Sequence, residues 1–264
     1  MTAWLRLLPI LLILLPATLL LAPVQLAAMR LCKPLARRMP VYWHKTALWL
    51  IGVRVHVRGE IPQNRPLLIV ANHISWSDIM VLGSVMQLCF IAKADMKSWP
   101  GINWLASLQR TVFVERQKRG QALVQANSIA ARLNQGDAMV LFPEGTTGDG
   151  NRLMAFNSTL FGAVHSAMES AGASHVTVQP VALAYTRLHG MPLGRFHQAR
   201  AAWPGALALW PHLFSFVTTG SYDVEVVFCA PADFSLHTGR KEIARLAREQ
   251  IRDAFAAAMR MRQR

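Results

Sequence analysis

Hydrophobic positions along this 264-residue chain follow two regimes. From Leu7 to Ala28 they run without a charged residue and are interrupted by Pro9, Pro16 and Pro23. About 20 apolar residues suffice to cross the hydrocarbon core of a bilayer, so this run predicts a membrane-embedded helical anchor. Proline inside a helix removes a hydrogen bond and crowds the preceding turn; Pro16 is therefore expected to kink the helix or split it. A cleaved signal peptide fits less well because the run is long. A core helix of a soluble protein would carry a polar face. Val41–Val57 is a second, shorter apolar stretch in which Tyr42, Trp43 and Trp49 mix with Lys45 and Arg54. That makeup suits a helix lying at headgroup depth or an ordinary amphipathic core helix.

From Pro66 the pattern changes. Short β-rich runs at 67–71, 88–92, 111–114, 138–142 and 176–184 alternate with helical patterns at 79–86, 99–108, 117–134 and 158–171. A later strand is expected at 223–228 and a helix over 241–261, whose apolar face is Ile243, Leu246, Ala247, Ile251, Ala254, Phe255 and Ala258. Residues 202–216 are rich in Trp and Leu, and core packing and membrane contact fit them equally. The alternation predicts an α/β fold, a central, mostly parallel sheet covered by helices, with an N-terminal membrane-embedded helical segment. Two parts follow: anchor and interfacial helix over 1–58, and an α/β domain over 59–264.

Composition narrows the function. With 53% apolar and 16% charged residues the chain has enough apolar surface to fold. Three cysteines without a CxxC pair argue against a disulfide scaffold or a cysteine-built zinc site. His165 and His175 lack a third ligand at metal-like spacing. Twenty-eight Lys and Arg face 14 Asp and Glu, a net charge of +14, which calls for an anionic partner: nucleic acid, anionic lipid or a phosphorylated substrate. Between Met1 and Gly59 there is no acidic residue and there are eight cations, Arg6, Arg30, Lys33, Arg37, Arg38, Lys45, Arg54 and Arg58. Four of them directly follow the apolar run and Arg6 alone precedes it, a bias that leaves the rest of the chain on the cytoplasmic side. Water-soluble nucleic-acid binding does not explain the uncharged run.

The first strand after Pro66 runs into Asn72-His73-Ile74-Ser75-Trp76-Ser77-Asp78. Sites of α/β proteins lie outside the carboxyl ends of strands. His73 and Asp78 would lie far apart around a continuous helix, but a strand-to-helix turn can return Asp78 to the imidazole. A carboxylate on one ring nitrogen fixes the tautomer and leaves the other nitrogen free to accept a proton from an alcohol; a structural pair is the plainer reading. Phe142-Pro143-Glu144-Gly145-Thr146-Thr147 follows a later strand and forms a turn in which Glu144 could orient a polar substrate. Arg116 and Lys93 each stand at a strand end, where a cation can grip phosphate or make a surface ion pair. No G-x-S-x-G elbow accompanies the serines.

In this order, NHISWSD, the FVER segment, FPEGTT and Val178-Gln179-Pro180-Val181 resemble the glycerolipid acyltransferase family of 1-acylglycerol-3-phosphate O-acyltransferases, over roughly residues 60–190. The resemblance implies His73 as general base and Asp78 as its orienter, acting on a lysolipid hydroxyl that attacks an acyl thioester directly. It implies Arg116 as a phosphate-gripping residue, Glu144, Gly145 and Thr146 as an acceptor-binding motif, and Pro180 as shaping the acyl pocket or the fold. Acyl-CoA or acyl carrier protein would be the donor, with no cofactor and no metal, at the inner (cytoplasmic) membrane among anionic lipids. Arg110 stands where the family usually has glycine, so either the loop differs or a second cation joins the acceptor site. The general motifs favour 1-acylglycerol-3-phosphate as the acceptor, giving phosphatidic acid; the alternative is lyso-ornithine lipid, an acceptor without phosphate, because the longer string FPEGTTGDGNRLMAFNSTLF is similar to a bacterial branch whose members acylate it. The rival readings are hydrolysis by the same His–Asp pair and a basic membrane- or nucleic-acid-binding protein without catalysis.

Overall fold

In the computed structural model, residues 3–99, 101–114, 122–172, 175–205, 207–235 and 237–261 are described. The apolar start is helical throughout. Helix α1 (Ala3–Pro9) passes through a π-helical turn (Ile10–Leu14) into α2 (Leu15–Leu31). Pro16 does not split the helix in two. It stands just after the π-helical turn Ile10–Leu14, where the helix is widened next to the residue that lacks an N–H. Along α2 a narrow seam is buried, Thr18, Ala22, Gln25 and Ala28, while Leu20 on the same helix and Leu12 in the π turn before it are 73% and 70% exposed. A soluble core helix would bury those leucines. Residues Leu5–Leu31 are long and apolar enough to cross a membrane.

Cys32, with φ −143° and ψ 81°, interrupts the helix, and α3 (Lys33–Ile51) returns along the α2 seam. Trp43 Nε1 donates to Thr18 Oγ1 at 2.8 Å, and Gln25 Nε2 donates to the carbonyls of Ala36 and Leu108 at 2.9 and 2.8 Å. The single helix expected over 41–57 is corrected: α3 ends at Gly52, and β1 (Val53–Arg58) follows. Val-Arg-Val-His-Val-Arg alternates with period two, and the sheet edge uses it. Arg54 forks onto Asp223 at 2.8 and 2.9 Å, and Arg58 Nε meets Glu225 at 2.6 Å. These two cations are therefore committed to the sheet, whereas Arg30, Lys33, Arg38 and Lys45 remain exposed.

The remaining elements are β2 (Leu67–Ala71), α4 (Asp78–Val85), β3 (Cys89–Lys93), a 3-10 turn (Ala94–Ser98), α5 (Ile102–Leu108), β4 (Val112–Val114), α6 (Ala122–Asn134), β5 (Ala138–Leu141), α7 (Thr159–Ala171), β6 (His175–Leu188), β7 (Met191–Pro192), a 3-10 turn (Arg195–Arg200), α8 (Leu209–Thr219), β8 (Tyr222–Phe228), β9 (Ala232–Ser235) and α9 (Arg240–Met261). The described strands form one nine-stranded sheet in the order β1-β8-β6-β2-β5-β3-β4, with β7 and β9 also on β6. β6, β2, β5, β3 and β4 run parallel; β8 is antiparallel to β6 and parallel to β1. β2 and β5 are buried at every position, as a parallel sheet covered on both faces requires.

Helix α9 buries Ile243, Ala244, Ala247, Ile251, Phe255 and Ala258, much of the expected face. Helix α8 covers the second half of the stretch that core packing and membrane contact fit equally, and its buried side packs into the core. His212, Phe216 and Val217 are buried, while Trp210 and Phe214 are exposed. Helix α3 packs on α4 closely enough that His44 Cδ2 lies 2.5 Å from where a Cβ on Gly83 would stand, so that position requires glycine.

Candidate active site

The site forms where β2 ends. Asn72 closes the strand by bridging to β6: its Nδ2 donates to the Leu183 carbonyl at 3.0 Å and its Oδ1 accepts the Leu183 N–H at 2.8 Å. The chain then turns, with Asp78 N–H bonded to Ser75 O at 3.1 Å, and α4 begins. This turn returns Asp78 to His73, the arrangement that a strand-to-helix turn at this spacing allows. Asp78 Oδ2 lies 2.8 Å from His73 Nδ1 and accepts the N–H groups of Ile74 at 2.6 Å and Ser75 at 2.9 Å. A carboxylate only accepts, so Nδ1 carries the ring proton and Nε2 keeps its lone pair. Asp78 is fully buried, whereas the His73 side chain retains 16% exposure. The imidazole stacks on Phe142, the first residue of the FPEGTT segment, with centroids 4.0 Å apart and planes at 13°.

Two groups that sequence reasoning missed complete the surround. Tyr185, on β6, donates to Asp78 Oδ1 at 2.8 Å, and its oxygen lies 2.6 Å from Ser77 Oγ. Tyr185 is wholly buried, and burial drives its phenol well above the usual value, with the neighbouring Asp78 charge adding to the rise. The hydroxyl therefore stays protonated and remains a donor. Its sequence signal is faint: a tyrosine in the apolar run Val181-Ala182-Leu183-Ala184-Tyr185 reads as core packing. Gln198 Nε2 in turn holds the Tyr185 carbonyl at 2.9 Å.

Glu144 ties the two motif loops together. Its Oε2 accepts the His73 N–H at 2.7 Å and its Oε1 accepts the Met154 N–H at 2.9 Å. Burial raises its carboxyl above the usual range, and those two backbone N–H groups oppose the rise. Gly145 follows at φ +76°, a left-handed geometry that favours glycine. Thr146 is exposed. Pro180 is buried in β6 opposite Val70, where β6 changes partner from β9 (Val178 opposite Ala232) to β8 (Val181 opposite Phe228). A proline lacks the N–H that a continuous partner would need, and this handover leaves none to satisfy. Its carbonyl accepts the Cys229 N–H at 3.0 Å.

Lys93 ends β3, so it shares the carboxyl edge with His73, but its ammonium is exposed and paired with Asp95. Arg116 lies outside the described residues. Arg110 is not at this edge. It precedes β4, and its guanidinium pairs with Asp137 at the amino end of β5. Of its two sequence readings, the second acceptor cation is thereby corrected, because parallel strands carry residues before and after them to opposite ends of the sheet. Among the described residues, no group of three or more His, Cys, Asp or Glu converges as a metal site would need.

The acyltransferase family model matches residues 52–184. The chain is 45% identical over its full length to the lyso-ornithine lipid O-acyltransferase of Rhizobium meliloti, covering 90% of that protein. It is 29% identical to the 1-acyl-sn-glycerol-3-phosphate acyltransferase of Neisseria gonorrhoeae, over 85% of this chain and 84% of that protein. The crystal structure of the 1-acyl-sn-glycerophosphate acyltransferase of Thermotoga maritima superimposes with a TM-score of 0.57 at 23% identity, over 83% of this chain and 78% of that one. The last comparison shows a shared fold.

Proposed function

Because the chain belongs to the acyltransferase family and associates with membranes in lipid synthesis, we propose that it transfers an acyl chain from acyl-CoA or acyl carrier protein to the free hydroxyl of lyso-ornithine lipid, with His73 as general base. The observation that carries this reading is the 2.8 Å contact between His73 Nδ1 and the fully buried Asp78. An alcohol is a weak nucleophile at neutral pH, and a positioned imidazole contributes roughly 10²–10⁴ in rate. His73 Nε2 takes the hydroxyl proton as the oxygen attacks the thioester carbon. The C–S bond then breaks, and the thiolate leaves and takes a proton. Asp78 stabilises the imidazolium between those events. The thioester already supplies the leaving group, so the reaction needs no cofactor and no metal.

Glu144 acts here as a brace for the His73 backbone. Both of its oxygens are occupied by N–H groups, so its part in acceptor binding is indirect. Gly145 and Thr146, in the turn that Glu144 ties to the His73 backbone, contact the acceptor, and Pro180 supports the strand that carries Tyr185. The catalytic domain faces the cytoplasm from the inner membrane, a reading supported by the cations that follow the apolar run.

The second reading is 1-acylglycerol-3-phosphate as acceptor, with Arg116 and Lys93 on its phosphate. It is supported by the general motifs and by the Neisseria relative. The higher identity over the whole chain supports lyso-ornithine lipid. Membranes carrying the full-length protein, given labelled acyl-CoA and either acceptor, separate the two. Acylation of lyso-ornithine lipid well above that of 1-acylglycerol-3-phosphate is expected. The reverse order, together with a selective loss for the phosphorylated acceptor in Arg116→Ala, would establish the second reading. Release of free fatty acid with neither acceptor modified would mark a hydrolase.

A further inference from the structure

The opposite end of the sheet holds a second built site. Asp137, just before β5, is buried at 5% exposure. Arg37 Nε lies 2.8 Å from its Oδ1, Arg110 pairs with both oxygens, and Arg132 Nη1 lies 3.9 Å from Oδ2. Arg65 stands close by and donates to the carbonyls of Asn64 at 2.7 Å and Pro62 at 3.4 Å. Three guanidiniums, those of Arg37, Arg110 and Arg132, thus lie within 4 Å of the Asp137 carboxylate, and Arg65 adds a fourth positive charge close by. A structural clamp requires one cation per carboxylate, and burying unmatched charge is costly. Burial lowers the Arg65 pKa, with Arg37 adding to the fall and Asp137 opposing it, so this corner carries excess positive charge.

That excess borders open space. Arg37, Arg65 and Arg110 line a cavity of about 220 Å³ together with Gln63, Gly136 and Asp137, several times the ~30 Å³ that a water molecule occupies in the liquid. Guanidiniums recognise phosphate through forked N–H groups. Ala36, Arg37 and Pro40 of α3 also line the cavity, and α3 follows the apolar span Leu5–Leu31 directly, in a stretch of chain that carries exposed Arg30, Lys33 and Arg38. We propose that this arginine-lined cavity, at the end of the sheet remote from His73, binds a phosphate group, and that its place beside the membrane segment selects the headgroup phosphate of an anionic lipid. A bound phosphate would hold the start of α3 at the bilayer surface and supply the counter-charge the cluster lacks. This inference is independent of acyl transfer.

The test uses full-length protein in a neutral detergent, titrated with short-chain phosphatidylglycerol, with diacylglycerol of the same chains, and with inorganic phosphate. Bound ligand is read by native mass spectrometry and stabilisation by melting temperature. Phosphatidylglycerol is expected to bind, inorganic phosphate to compete, and diacylglycerol to bind far more weakly. Arg65→Gln should weaken phosphatidylglycerol about tenfold or more, Arg65→Lys should recover much of it, and Arg38→Gln, which removes an exposed charge from α3, should change it less than about twofold. If Arg65→Gln fails to fold, Arg37→Gln gives the same reading, since Arg110 still holds Asp137. Binding of inorganic phosphate without phosphatidylglycerol would keep the anion site and identify the free ion as its ligand. Equal binding by wild type and Arg65→Gln, equal loss in Arg38→Gln, or diacylglycerol binding as tightly as phosphatidylglycerol would overturn the proposal.

Discussion

Asp78 and Asp137 stand at opposite ends of the parallel sheet, both buried, and they are held by different donors. Asp78 is held by two backbone N–H groups, a tyrosine hydroxyl and an imidazole. Asp137 is held by guanidiniums. Neutral dipoles satisfy a carboxylate without cancelling its charge, so the charge still acts on the imidazole. Guanidiniums cancel it, so Asp137 holds helix and sheet together and directs nothing. The residue type and the burial are shared; the donors decide the role. β5 is four residues long, and at about 3.3 Å per residue the two environments are separated by little more than the length of that strand.

The widest separation between the ends should appear in paired substitutions. Asp78→Asn removes the acceptor that fixes the His73 tautomer, and either orientation of the amide turns an N–H toward existing donors. Acyl transfer per folded molecule should fall by roughly 10²–10⁴. Adding His73→Ala to it should lower the rate little further, because residues acting as a unit are not additive. Asp137→Asn should instead cost about 3–5 kcal/mol of stability, the usual toll for breaking a buried ion pair, with turnover of the folded fraction retained. Thermal melting beside single-turnover rates checks both. Loss of turnover without loss of stability in Asp137→Asn would remove the contrast.

A third test probes the joint between anchor and site. His44 on α3 lies against Gly83 of α4, the helix that Asp78 begins. Burial lowers its pKa from 6.5 to about 4, with the Gln109 amide opposing in smaller part. The unfolded chain takes up this proton near pH 6.5 and the folded chain does so only near 4. Stability present above pH 6.5 is therefore lost as pH falls from 6.5 toward 4, by about 3 kcal/mol in order of magnitude. Melting curves across that window should show the loss in wild type and a shallower one in His44→Gln. Identical acid slopes would sever this joint from the account.

The smallest effect belongs to Tyr185→Phe. It removes one donor from Asp78, so the carboxylate holds the imidazolium more strongly. The acid limb of the pH–rate profile should move to higher pH while the rate changes less than about tenfold. A merely structural tyrosine would leave the profile in place.

The end of the sheet that carries His73 and Asp78 was largely legible in the sequence. Leu67–Ala71 is an unbroken apolar run, and the polar turn after it had to lie at a strand end. Arg110 was legible in principle, since it precedes a strand and Arg116 follows the same one. β1 carried a period-two signature that the neighbouring aromatic residues of α3 masked. Tyr185 and the cluster around Asp137 were not legible. A buried tyrosine in an apolar strand looks like packing until the partner of its hydroxyl is located. Arg37, Arg65, Arg110 and Asp137 come from four separate elements or loops that strand order alone brings together.

The most direct measurement is acyl transfer from acyl-CoA to lyso-ornithine lipid by the full-length protein in membranes, wild type against His73→Ala, with melting temperatures determined on the same preparations. The account predicts a fall of at least about a hundredfold with unchanged melting. Turnover in His73→Ala within twofold of wild type would contradict it.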